Sequence, residues 1–241
     1  LNIGSEQTVP RERAAAKRAS AGIAPVPPKP HARQVLMEVS EKLFGHCGLD
    51  GVSLREIALA AGQSNNAAVH YHFANKLGLL KEILDTRIAQ TEALRQDWLM
   101  RLGEKGKANK KELLKIILLP VLEIRDQAGH YTFCRFLLQY LLHPDTVAHP
   151  VGELLENRRK RAAGPRSNLT NSVWAVEALQ RLYPEVPVPV FDKRLLALTL
   201  MFFASVVQHE NSYLKKAPKL IPAFDAAPIL DIALAALSAP H

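Results

Sequence analysis

From residue 31 almost to the end of the chain, apolar residues recur every three or four positions, and nowhere do they alternate in the two-residue rhythm of a strand. This pattern predicts an all-α protein. A first helix over 31–46 places Val35, Leu36, Val39, Leu43 and Phe44 on one face. A shorter one opens at Ser53, where Ser53 and Glu56 have the spacing of a capping box, and it carries a small apolar face of Ile57, Ala58 and Ala61. Gly62 suits the left-handed turn that closes such a helix. Ser64 or Asn65 can cap a third helix ending near Phe73, with Ala68, Val69 and Phe73 turned to the core. Asn75 can cap a long fourth helix that carries Leu80, Ile83, Leu84 and Ile88 and runs to residue 102.

The period continues through helices expected over 110–127, bent at Pro120, and over 131–142, 151–163 and 168–182. A stiff, proline-rich linker at 183–189 precedes two last helices, 191–214 and 226–238. The first of these is apolar almost all round between Leu195 and Val207, and such a helix must be covered on every side. A second subunit is an economical cover. Leu198, Phe202 and Val206, with Leu230, Leu234 and Leu237 of the final helix, are the candidate dimer interface.

Two short helices joined by a glycine turn, behind an amphipathic helix, form the pattern of a helix-turn-helix DNA reader. Base readout needs polar side chains at the start and on the outer face of the second motif helix. Asn65 and Asn66 can pair with adenine edges, His70 can donate or accept, and Ala67 can touch a thymine methyl. Adding Tyr71-His72-Phe73, the short turn Ala74-Asn75-Lys76 and the long helix behind it, residues 33–84 resemble the TetR family of bacterial transcriptional regulators in order, spacing and residue type. There is one departure. Between Gly62 and Tyr71 the chain holds one residue more than the family's commonest spacing, within 63–66, which shifts by a position which side chain faces which base.

The resemblance implies an N-terminal three-helix DNA-binding domain (31–76) joined to a larger helical ligand-binding and dimerisation domain (77–241). It sets Tyr71 and His72 at or near the phosphate backbone, brings Lys76 to a phosphate, and places Ser53 and Arg55 to hold the opposite strand. Trp98, Phe133, Phe136, Leu137, Tyr140 and Trp174 fall on helices that surround an effector cavity in this family, with Arg135, Gln139 and His130 as nearby polar groups. It further implies that the last two helices pair with those of a second subunit in a four-helix bundle.

Composition changes this picture little. At 241 residues, 48% of them hydrophobic, the chain can hold a small domain and a larger one, and its net charge of +8 suits a nucleic-acid partner. The charge does not pick out the motif, because residues 31–76 carry equal numbers of basic and acidic groups. Residues 1–30 form a basic, Pro/Ala-rich arm that either lies along DNA or is an uninvolved tail. No run is long and apolar enough to span a bilayer, and no secretory signal stands at the start. The two cysteines, Cys47 and Cys134, fit neither a disulfide framework nor a metal site, so a reducing, cytoplasmic setting is expected. His70 and His72 lie two apart on a helix and face apart, while His143, Asp145 and His149 lack a fourth ligand, so no metal and no cofactor is expected. There is no nucleophile elbow, phosphate-cradling glycine loop or metalloprotease helix, so an enzyme is not expected. The resulting expectation is a homodimeric, sequence-specific repressor that binds double-stranded operator DNA and is released by a small apolar or amphipathic effector. The alternatives are a constitutive DNA-binding protein without effector gating and a helical interaction module.

Overall fold

The computed structural model describes residues 30–103, 108–144, 170–214 and 221–240. Regular structure among them is helical throughout: α1 (Pro30–Cys47), α2 (Leu54–Ala60), α3 (Ala67–Phe73), α4 (Lys76–Gly103), α5 (Lys110–Leu118), a 3₁₀ turn (Leu119–Glu123), α6 (Thr132–Leu142), α7 (Thr170–Arg181), α8 (Val188–Leu214) and α9 (Ala227–Leu237). All but the last residue of the expected arm, the helix expected over 151–163, and Asp145 and His149 lie outside the described residues.

Each boundary has a local cause. Ser53 and Glu56 form the reciprocal capping box at α2: the Glu56 amide donates to Ser53 Oγ at 3.2 Å, and the Ser53 amide donates to Glu56 Oε2 at 2.7 Å. Gly62 takes a φ of +74° and turns the chain out of α2. Asn65 accepts the Ala67 amide at 2.9 Å, and Asn75 accepts the Gly78 amide at 2.8 Å, so each holds the start of the following helix. Asn109 and Glu112 repeat the capping box at α5. Pro120 does more than bend a helix over 110–127. Lacking an N–H and crowding the preceding turn, it ends α5 at Leu118 and tightens the chain into the 3₁₀ turn, after which a turn at Asp126–Gly129 redirects it.

Helices α1–α3 enclose Leu36, Phe44, Ile57, Val69 and Phe73 together with Leu79, Leu80 and Ile83 of α4. That core continues into the larger body, because α1 lies along α6. Gly45 permits the close crossing, since a Cβ there would stand 3.2 Å from the Phe136 amide nitrogen and 3.1 Å from Arg135 Cγ. In the body, α7 packs on α4 and α5, α8 on α6, and α9 on both α5 and α8.

This layering corrects the expected dimer surface. Leu198, Phe202, Val206, Leu230 and Leu237 are all buried within the single chain, and Leu234 is half-buried. The near-continuous apolar surface of α8 is covered from inside by α6 and α9, so most of it is ordinary core. The side left over carries Ala197, Leu200, Met201, Ala204 and Val207, all exposed or half-exposed.

Candidate nucleic-acid interface and interior cavity

Helix α3 is held to the core by Val69 and Phe73, fully or nearly fully buried, so its opposite face is presented to solvent. Ser64, Asn65, Ala67, His70 and Tyr71 are exposed on or beside that face, and Asn66 is half-exposed. Tyr71 is the most prominent of these, with 65% of its surface accessible. A seven-residue helix edged by amides, a methyl and a phenol has the size and the donor–acceptor variety needed to read a major groove.

His70 also has a second task. Its Nδ1 lies 2.9 Å from the Ala74 carbonyl, which can only accept, so the proton sits on Nδ1. That leaves Nε2 to accept from Asn66 Nδ2 at 3.3 Å. The imidazole thereby braces both ends of α3, including Ala74, which adopts a φ of +62°. The contact with His70 uses the amide nitrogen of Asn66 and not its carbonyl oxygen. His72 is turned partly inward: Nε2 is buried without a partner, and burial, then the nearby charge of Arg33, lowers its pKa. Its ring packs edge-on against Tyr71 at 5.2 Å. Of the pair expected at the phosphate backbone, Tyr71 is therefore the one presented.

Arg55 and Ser53 are exposed at the start of α2, although the Ser53 hydroxyl is engaged by Glu56. Hydrogen bonds from the backbone and side chain of Ser53 hold the Glu56 carboxyl below its ordinary pKa. Lys76 is half-exposed, its ammonium 5.6 Å from the centre of the Phe44 ring. Two apolar side chains at this end escaped the sequence reading, Leu59 and Leu77, which are 55% and 73% exposed. Neither falls among the apolar faces expected from the sequence, which left both unplaced.

The body encloses a cavity of about 90 Å³. Every wall is a helical stripe: Ile88, Thr91 and Arg95 from α4, Phe133, Leu137 and Leu141 from α6, and Leu195, Thr199 and Phe203 from α8. Ile117, Leu118, Val121 and Ser172 complete the lining. Of the expected effector residues, Phe133 and Leu137 line it. The other four do not. Phe136 and Tyr140 lie one step round α6, where Phe136 stacks on Phe133 and packs against Phe44 of α1, with ring centres 6.3 and 6.4 Å apart. Trp98 lines a separate shallow groove with Arg101, Lys115 and Ile116, and Trp174 is 43% exposed. The polar wall residues Thr91, Arg95, Ser172 and Thr199 were missed; their only trace in the sequence is a polar residue interrupting an otherwise apolar stripe.

Reader and cavity are joined by buried polar contacts. Glu41 of α1 accepts from Arg87 of α4 at 2.6 Å and from the hydroxyl of Thr132 on α6. One turn further along α6, Arg135 pairs with buried Glu210 of α8 at 2.5 Å. Glu210 also accepts the Tyr131 amide at 2.9 Å. On the outer edge, His143 meets Asp50 at 2.9 Å, and that hydrogen bond is the chief reason the Asp50 carboxyl titrates below its usual range.

An exposed helix on a capped, glycine-turned helical pair, backed by a larger helical body with an interior cavity, defines a helix-turn-helix fold with a helical companion domain. Residues 36–83 match the family model of bacterial regulatory proteins of the tetR family. The match covers about a fifth of the chain, from the middle of α1 into the first turns of α4. The fold as a whole is similar to a solved structure from Shewanella sp. PV-4 assigned as a tetR family transcription regulator, with a TM-score of 0.55 at 15% identity over 86% of this chain and 95% of that one. A lower-scoring likeness is to NalD, the secondary repressor of the MexAB-OprM multidrug efflux pump in Pseudomonas aeruginosa (TM-score 0.47, 21% identity, 86% of this chain and 96% of that one). No curated protein matches the sequence.

Proposed function

We propose that the protein is a homodimeric transcriptional repressor that binds a palindromic operator through α3 and leaves it when a small molecule occupies the cavity. The observation that carries this reading is the double duty of α4. Its first turns, through Leu79, Leu80 and Ile83, form part of the core beneath the reader helix, and its middle, through Ile88, Thr91 and Arg95, is a cavity wall. A ligand that prefers a wider cavity therefore acts on the helix that seats the reader, and that preference is what supplies release. Asn65, Asn66, Ala67 and Tyr71 take the base-reading role, with His70 as their brace. Arg55, Lys76 and the basic arm take the phosphates, which set register rather than sequence. The second copy docks on the uncovered side of α8, around Met201 and Ala204, in place of the buried residues first assigned.

The test is selection of duplexes from a random pool by the full chain, followed by binding across a salt series. A two-fold symmetric sequence should emerge, with log affinity falling linearly with log salt. Asn66→Ala should relax base preference at one symmetric position, costing on the order of 1–3 kcal/mol. Lys76→Ala should weaken all sequences alike. Equal affinity for selected and scrambled duplexes would remove the sequence-specific reading and leave a helical interaction module. Release by no ligand at all would leave a constitutive binder. Ala204→Arg should dissociate the dimer in light scattering without unfolding it; a well-folded wild-type monomer on DNA would remove the dimer.

A further inference from the structure

The polar end of the cavity is incompletely satisfied, and the pattern of what is missing describes a ligand. The hydroxyls of Thr91 and Thr199 donate back to their own helices, to the carbonyls of Ile88 at 2.9 Å and Leu195 at 2.8 Å, and Ser172 Oγ donates to Glu92. All three thus offer the cavity only lone pairs. Arg95 donates from Nη1 to Glu92 at 2.9 Å and from Nη2 to the Ile117 carbonyl at 3.2 Å, while its Nε is buried with no acceptor. A buried donor left unmet costs free energy, which an arriving oxygen would recover.

The charge balance points the same way. Glu92 is the one anion paired with Arg95, yet it also accepts the Asn171 amide at 2.8 Å, the Ser172 amide at 3.4 Å and the Ser172 hydroxyl. It therefore caps the N-terminus of α7, a twelve-residue helix whose dipole adds partial positive charge there. One carboxylate faces a guanidinium and a helix terminus together, and the pocket's polar end keeps a net positive character. The rest of the lining is aliphatic or aromatic. Its volume of about 90 Å³ is below the roughly 150 Å³ of a cavity that accepts benzene.

We propose that the effector is a small aliphatic monocarboxylate, its carboxylate accepting from Arg95 Nε and its apolar body, smaller than a benzene ring, lying among Val121, Phe133, Leu137 and Phe203. This names the ligand class for the cavity switch proposed above and rests on that reading. A carboxylate accepts charge-assisted hydrogen bonds from a guanidinium, which are stronger than those between neutral groups. The Thr and Ser lone pairs can take a hydroxyl carried by the ligand.

The experiment is calorimetric titration of the full chain with isobutyrate and isovalerate, each beside its uncharged primary amide, together with release of the selected duplex. Each acid should bind on the order of tenfold or more tighter than its amide. Arg95→Gln should abolish that ratio, and Glu92→Gln, which removes the competing anion but keeps hydrogen-bonding groups at α7, should increase it. These opposite signs separate ligand recognition from a merely structural role, which would weaken binding in both variants. If Arg95→Gln does not fold, the acid-to-amide ratio in the wild type and in Glu92→Gln still decides. Amides binding as well as acids, or no binding by either acid, would overturn the carboxylate assignment. The regulator reading fails separately, by loss of sequence-specific DNA binding measured with no ligand present.

Discussion

The exposed caps at the reader end and the buried pairs of the interior differ in reach. Around α2 and α3 polar side chains lie outside and find partners two to four residues away: Ser53 with Glu56, Asn65 with Ala67, Asn66 with His70, Asn75 with Gly78. The buried pairs that tie the helices of the body together, and α1 to it, join residues distant in sequence: Glu41 with Arg87 is 46 residues away, Arg135 with Glu210 is 75, and Glu92 with Ser172 is 80. Local caps fix helix ends and leave a surface free for a partner. The long-range buried pairs instead fix which helix lies against which, and an error in one leaves a charge stranded in the core.

Glu210→Ala should show the largest consequence. It strands the Arg135 guanidinium and the Tyr131 amide, and loss of one partner from a buried pair costs about 3–5 kcal/mol. Urea unfolding should report that loss; a change near zero would mean that water reaches the site and the pair is dispensable.

Acid should reveal the next effect. Burial alone would raise the pKa of Asp126, but hydrogen bonds from Lys42 of α1 and from the backbone and ring of His130 outweigh it and hold the carboxyl at about 2. A carboxyl depressed on folding stabilises the fold above its unfolded pKa of 3.8, and that contribution fades as pH falls toward about 2. Thermal melts of the wild type should decline through this window more steeply than those of Asp126→Asn. Parallel curves would show that the contact between α1 and this loop contributes nothing.

The smallest effect belongs to the local caps. Ser53→Ala should cost about 1 kcal/mol and loosen α2 alone. Lys81→Ala, which removes an exposed pair with Asp85, should change stability by no more than about 0.5 kcal/mol. Hydrogen exchange that rises throughout the body in Ser53→Ala would contradict the division between local and long-range partners.

The same division explains what could be read in advance. The helix starts at Ser53 and Asn75, the turn at Gly62 and the inward side of α3 follow from residues within a few positions of one another, and the structure reproduces them. The cavity was only half legible. Phe133 and Phe136 are alike to a periodicity argument, and only the packing of α6 against α1 decides that Phe136 turns away. The same limit misassigned Phe202 and Leu230, because a helix apolar on two sides does not say which side its own chain covers. Arg95 gave no sign of its role: Glu92 stands three residues away on the same helix, as in many exposed pairs, and the Ile117 carbonyl reaches it only through tertiary packing.

The length of α4 gives the cavity mechanical reach. Lys76 and Thr91 both lie on it, so at 1.5 Å rise per residue the cavity wall stands roughly 23 Å along one stiff rod from the reader's seat. Pivoting that rod by only about 4° swings its far end by roughly 1.5 Å. In the proposed regulator, hydrogen bonds to base edges would tolerate about half an ångström, so such a swing would take the reader out of register. A cavity of about 90 Å³ need not open far to do this, since a guest slightly too large for it is enough.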